Sequence, residues 1–306
     1  MPKYLFFDIC VNLPFDCSFA IKTDEPTQVE VTLEHVTAHD LSYQVKHDHD
    51  FAVLEFPSVG VFQVSFAKRR VNIQAFTYDY NLIGIVFATS LMTIWMQNDA
   101  LVLHGSLIEY NHQGILISGA SGTGKSTLVA ELMRRKLVNV LSDDIVRVTL
   151  ESDKLIGHRS YPLLKLEPEL AKGIQHIRPL YPVPLNPNKT AYLLESHQQK
   201  SCKIDHIVLL KTNSSLGFDT HSLNLYNWIK LLHISAYRYS FLSKKQREDY
   251  FSMSTQSFKS ASLHILTKNH SQHSKDVVID TFIQAMNKET QYEKSLGNAS
   301  CKRSQY

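Results

Sequence analysis

The sequence predicts an α/β protein: a P-loop-type domain built on a central sheet, preceded by a strand-rich N-terminal subdomain. Three observations lead there. Between Tyr4 and about Phe76, short apolar or alternating runs (SFAIK, VEVTLEHV, FAVLEF, VFQVSF, VNIQAF) are separated by polar, Pro and Gly punctuation, the pattern of short strands and turns. From ALVLHGSLIEY onward, strand-like and helix-like runs alternate, as in an α/β domain. Between an apolar run and a helix-like run lies a glycine-rich octet closed by Lys125 and Ser126. With 306 residues, 43% of them hydrophobic, the chain can bury one large core or two modest ones.

Taken in order, residues 1–97 read as the strand-rich subdomain, ending in the uncharged run Leu82–Met96. That run falls short of the ~18 to 20 residues a membrane span requires, so it is expected to be a buried core helix. Residues 98–289 read as the second domain. ALVLHGSLIEY forms a strand, Asn111–Gly114 a turn, and Ile115–Ser118 the next strand of a hairpin that feeds the octet. In STLVAELMRRK the apolar Leu128, Val129, Leu132 and Met133 recur at helical spacing, with Arg134, Arg135 and Lys136 near the C-terminus. LVNVLSDD follows as a buried strand ending in Asp143 and Asp144. Recurring prolines from Tyr161 to Pro187 predict an irregular connection around one short helix. A strand (His206–Lys211), a helical patch (222–240), a polar helix (Lys244–Met253), a strand (Leu263–Lys268) and a helix (Lys275–Met286) complete the alternation. Residues 290–306 carry little apolar content and read as a disordered tail.

Charge and cysteine usage narrow the function. Lys plus Arg (32) exceeds Asp plus Glu (29) by +3, and the short KKQR at Lys244–Arg247 reads as solvated surface, so nucleic acid is not the expected partner. Cys10, Cys17, Cys202 and Cys301 form no C-x-x-C pair, which argues against a zinc site or a disulfide framework. The N-terminal run is interrupted by Asp8 and reads as no export signal. A cytoplasmic protein without a membrane span is expected, in which Asn298-Ala299-Ser300 has no meaning as a glycosylation site.

Gly119-Ala120-Ser121-Gly122-Thr123-Gly124-Lys125-Ser126 matches G-x-x-x-x-G-K-[ST], the Walker A phosphate loop, without a mismatch. A strand before it and a helix after it would aim backbone N–H groups and a helix N-terminus at phosphate oxygens. The glycines permit backbone conformations and close approach that a Cβ would obstruct, and Lys125 supplies a point charge near the β and γ phosphates. The nucleotide expected is ATP. Ser126 would hold Mg²⁺ through its hydroxyl, with Asp143 and Asp144 as the nearest acidic partners. On a strand these two would point to opposite faces, whereas at an irregular strand end both can turn towards the phosphates.

The segments LHGSLIEYNHQGILISGASGTGKSTLVAEL and LVNVLSDD together resemble the C-terminal domain of the HPr kinase/phosphorylase family, bacterial P-loop enzymes that phosphorylate a serine of a carrier protein. More closely, they are similar to the shorter HPr-kinase-like proteins of ribosomal peptide pathways, lasso peptide kinases included. The shared pattern is an L-H-G strand, a G-x-S-G-x-G-K-S-T-L loop and a D-D pair, with YPLLKL and SAYRYSF as weaker features. The resemblance implies roles. Asp143 would accept the substrate hydroxyl proton, Asp144 would lie near the metal, and His104 would orient the phosphoryl group or the acidic base. The nucleotide would lie on Gly119 to Thr127. In two respects the chain departs from the HPr kinases: Thr127 replaces a Glu after the loop serine, and the downstream E-I-R-G-L-G signature is missing. Glu167, Glu195 and Lys189 are possible substitutes.

The expected function is an ATP-dependent serine kinase acting on a peptide or protein, either a biosynthetic precursor peptide or an HPr-like carrier. The alternatives are a small-molecule P-loop kinase and a non-catalytic nucleotide-dependent module. A homo-oligomer would also fit the resemblance.

Overall fold

The computed structural model describes residues 1–7, 9–37, 44–47, 51–95, 100–160, 162–183, 186–195, 200–213, 215–220, 224–237, 239, 242, 244–269 and 273–303. The predicted strand-rich start is an eight-stranded sheet. Its strands are β1 (Lys3–Phe6), β2 (Ile9–Asn12), β3 (Ile21–Lys22), β4 (Val29–His35), β5 (Gln44–His47), β6 (Phe51–Phe56), β7 (Gly60–Ser65) and β8 (Arg70–Ala75), in the order β3-β1-β2-β4-β8-β7-β6-β5. Alternating burial along β6, β7 and β8 gives the sheet one apolar face. Helix α1 (Tyr80–Trp95) lies across it and buries Ile83, Ile85, Val86 and Phe87. Asp79 starts the helix, accepting from the backbone N–H of Asn81 and of Leu82 at 3.1 Å each. No helix among the described residues is long and apolar enough to cross a membrane. The expected subdomain boundary at 97/98 lies outside the described residues.

The second part is the expected alternation of strand and helix. Strands β9 (Leu101–Tyr110) and β10 (Gln113–Gly119) form the hairpin. Its turn is tighter than the predicted Asn111–Gly114. Asn111 (φ 50°) and His112 (φ 65°) make it alone, in the left-handed conformation that matches strand twist, and Gln113 and Gly114 join β10. With β11 (Val138–Ser142), β12 (Ile145–Glu151), β13 (Lys154–His158), β17 (Ser201–Thr212), β18 (Gly217–Thr220) and β19 (Ser262–Lys268), the order is β10-β9-β12-β13-β17-β19-β18. A further parallel pairing of β10 with β17 closes β10, β9, β12, β13 and β17 into a ring. Strands β10, β17 and β19 run parallel and are buried on both faces. One face is covered by α2 (Lys125–Arg134) and α6 (Lys275–Arg303), through Leu128, Leu132, Ile279 and Phe282. The other is covered by α4 (Leu225–Ser235) and α5 (Lys244–Gln256), through Trp228, Leu231 and Tyr250.

Two expectations are corrected. The proline-rich stretch 161–187 is not an irregular connection. Besides the short helix α3 (Pro168–Ala171), it contributes β14 (Leu163–Leu166) and β15 (Ile177–Val183) to a third sheet with β16 (Asn186–Leu194), in the order β14-β16-β15. Pro179 and Pro182 are tolerated because β15 is an edge strand whose register shifts beside both of them. The segment expected as a disordered tail is helical from 290 to Arg303, as a continuation of α6. It contains no proline to break the helix, although Gly297 and Asn298 are weak helix formers.

Candidate active site: a phosphate loop facing two aspartates

The octet leaves β10 at Gly119 and enters α2 at Lys125, in the strand–loop–helix order expected from the sequence. Gly119 (φ 147°), Gly122 (φ 81°) and Gly124 (φ 88°) all adopt conformations that L side chains rarely take. At Gly119 a Cβ would also lie 2.6 Å from the Leu210 carbonyl oxygen, because parallel β17 runs alongside. Gly124 caps α2 with no side-chain hydrogen bond, so backbone N–H groups of the first turn remain for an anion. Lys125 donates from Nζ to the Gly119 and Ala120 carbonyls at 2.7 and 3.1 Å, and Thr123 Oγ1 donates to the Ala120 carbonyl at 2.8 Å. Burial lowers the Lys125 pKa, opposed by Asp144 and Asp143.

Opposite the loop, Asp143 and Asp144 interrupt what is otherwise one ladder along β9. Strand β11 pairs with β9 as far as Ser142↔Leu107, and β12 resumes at Ile145↔His104. The interruption lets both carboxylates face the site: Asp144 has a left-handed backbone (φ 72°), and its carbonyl accepts from the Gly105 N–H at 3.2 Å. On β9, residues of one face succeed one another as Val102, His104, Ser106 and Ile108. Val102 belongs to the core of the first sheet and Ile108 to the core beneath α2 and α6, so the site lies at the seam between two apolar clusters.

The two carboxylates have opposite environments. Asp143 is 6% exposed; its Oδ1 accepts from Ser106 Oγ at 2.9 Å and its Oδ2 from the Lys165 backbone N–H at 3.2 Å. Burial and the neighbouring Asp144 charge raise its pKa above the ordinary carboxylate range. Asp144 is also penalised by burial, but the Lys165 ammonium, 2.6 Å from Oδ2, more than offsets this and holds its pKa at about 2. His104 Nδ1 lies 3.5 Å from Asp144 Oδ1, and burial depresses the imidazole pKa despite that carboxylate.

These groups line one cavity of about 490 Å³. Among the predicted residues, His104, Ser121, Gly122, Gly124, Lys125, Ser126, Thr127, Asp143 and Asp144 reach it, while Gly119, Ala120 and Thr123 shape the loop behind it. Of the proposed substitutes, Glu167 and Lys189 line the cavity. Glu195 does not, and its backbone N–H instead donates to the His176 carbonyl at 3.0 Å. Sequence reasoning missed Ser106 and Lys165 as site residues. A signal for Lys165 was present, since it is the one charge within the apolar run LLKL.

Residues 97–181 match the family described as HPr Serine kinase C-terminal domain. The chain is 38% identical over 85 residues to the HPr kinase/phosphorylase of Treponema pallidum, with the same match in two strains of that organism, over 27% of this chain and 26% of each relative. It thus spans about a quarter of the length of the curated relatives it matches. Among solved structures, the Hpr(Ser) kinase/phosphatase from Coxiella burnetii aligns with 62% of this chain and 98% of its own, at 10% identity and a TM-score of 0.32. The family match encloses His104, the phosphate loop, both aspartates and Lys165, and the chain therefore carries an HPr-kinase-like domain.

Proposed function

We propose that the chain is an ATP-dependent kinase transferring the γ-phosphoryl group to a serine-type hydroxyl of a peptide or protein. The observation that carries this reading is the placement of a phosphate loop and a buried carboxylate of raised pKa in one cavity. Loop N–H groups and Lys125 would hold the phosphates and take up charge on the bridging oxygen as its bond to the γ-phosphorus breaks. Asp143, oriented by Ser106 and the Lys165 N–H, would accept the acceptor's hydroxyl proton as that oxygen bonds the γ-phosphorus.

The donor set fits Mg²⁺. Ser126, Asp144 and Asp143 present hard oxygens to the same cavity. Such oxygens are the ligands that Mg²⁺ prefers, and it commonly takes one or two carboxylates and completes its shell with substrate phosphates and water. When bound, Mg²⁺ would neutralise phosphate charge. An HPr-like carrier and a precursor peptide are the acceptors to try first.

The test is intact-mass analysis of such acceptors after incubation with Mg-ATP. Asp143→Asn keeps the hydrogen bonds of the site, since the Ser106 hydroxyl can accept from the new amide, so it should leave nucleotide binding nearly intact and stop transfer. Undiminished transfer by this variant, or phosphate appearing only on small metabolites, would overturn the proposal. A base must be ionised to act, so kcat/KM, which reports the unloaded site, should fall on the acid side at a pH above the ordinary carboxylate range, in keeping with the raised Asp143 pKa.

A further inference from the structure

Lys165 stands where a charge is costly. It lies within β14 between Leu164 and Leu166, both essentially buried, and its own side chain is 15% exposed. Its two ends hold both aspartates: the backbone N–H donates to Asp143 and the ammonium donates to Asp144 Oδ2 at 2.6 Å. The other Asp144 oxygen faces His104, so this carboxylate has basic groups from two different strands on its two oxygens. It is also the carboxylate offered to the metal. A Lys ammonium and a divalent ion compete for one carboxylate oxygen, and the ion carries the larger charge. Lys165 and Lys125 line the same cavity, from the third sheet and from the loop respectively.

We propose that Lys165 is a catalytic cation held in reserve: it gives up Asp144 when the metal–nucleotide enters and brings its ammonium to the transferring phosphoryl oxygens, opposite Lys125. The proposal rests on the kinase reading given above. In the resting site, Lys165 keeps Asp144 neutralised. In the loaded site, the same ammonium balances charge spreading over the phosphoryl oxygens, a role that a flexible four-carbon side chain can fill from a fixed strand.

Exchange makes a prediction that a structural role does not, because metal affinity and turnover should move in opposite directions. In the full-length Lys165→Met variant with ADP, the half-saturating concentration of Mn²⁺, read by electron paramagnetic resonance, should fall about threefold or more as Asp144 loses its competitor. In the same variant kcat should fall about 100-fold with KM for ATP little changed, and Lys165→Arg should restore at least about a tenth of the lost turnover. A loss of metal affinity together with turnover would overturn the proposal, as would turnover within about threefold of the parent. If the parent protein transfers no phosphate to any acceptor, the kinase reading fails by itself. The Mn²⁺ comparison still decides the exchange, since unchanged half-saturation in Lys165→Met would refute it.

Discussion

The two eight-stranded sheets solve different problems. In the first, burial alternates along the strands, α1 covers one face, and the other face carries a row of side-chain pairs between β4 and β8. These are Arg70 with Glu30, Asn72 with Thr32 and Gln74 with Glu34, each at 2.7 Å. In the second, β10 and β17 are buried on both faces and end at the loop and beside it. A sheet with one wet face tolerates change there. A sheet packed on both sides has little freedom to move, and it can therefore hold backbone N–H groups in a fixed array. The first sheet is nevertheless not a separate body, because its core continues into Val102, Ile145, Leu163 and Ala191 of the second part.

Substitutions across the two sheets would break or sharpen this contrast. Lys125→Ala removes the ammonium of the loop and should lower transfer on the order of 10³-fold, measured as initial rate at saturating ATP. Phe62→Ala, in the centre of the first core, should cost roughly 3–5 kcal/mol. If the core is continuous, calorimetry should show one transition shifted as a whole, whereas two transitions would mean that the sheets unfold independently. Gly119→Ala meets both the Leu210 carbonyl and a backbone conformation alanine avoids, and should cost roughly 2–3 kcal/mol by denaturant titration. Gly122→Ala, with open space around it, should cost only about 1 kcal/mol for its φ. Arg70→Ala on the wet face should cost under about 1 kcal/mol and leave transfer unchanged.

Much of this contrast is legible in the residues. The alternating runs before Phe76, the continuous apolar runs of β9 and β10, and the helical spacing after the octet are local patterns, and they appear in the structure as the elements they predict, except that SFAIK forms a strand only at Ile21–Lys22. The loop is legible for a stronger reason, because its glycines, lysine and serine are adjacent in the chain and answer one local requirement. The stretch 161–187 misleads because its prolines signal a break locally, whereas their tolerance on an edge strand depends on β16 lying on only one side. Ser106 and Lys165 escape notice for a related reason. Their value comes from Asp143 and Asp144, which are 37 and 21 residues away in sequence. Nothing near Ser106 in the chain announces that partnership, and near Lys165 the only hint is its place as the one charge within LLKL.

The central position of β9 has one more consequence. Both β10, which presents the loop, and the broken strand β11–β12, which presents the aspartates, are hydrogen-bonded to this strand, on its opposite edges. The gap between the phosphate loop and the two aspartates is therefore gauged by the main chain, about two strand widths or roughly 10 Å, whatever side chains surround it. Such a gauge is robust to substitution and fragile to insertion. One residue added to β9 ahead of His104 would leave the composition almost untouched, yet it would rotate His104 and Ser106 to the far side of the sheet or slide them past the aspartates.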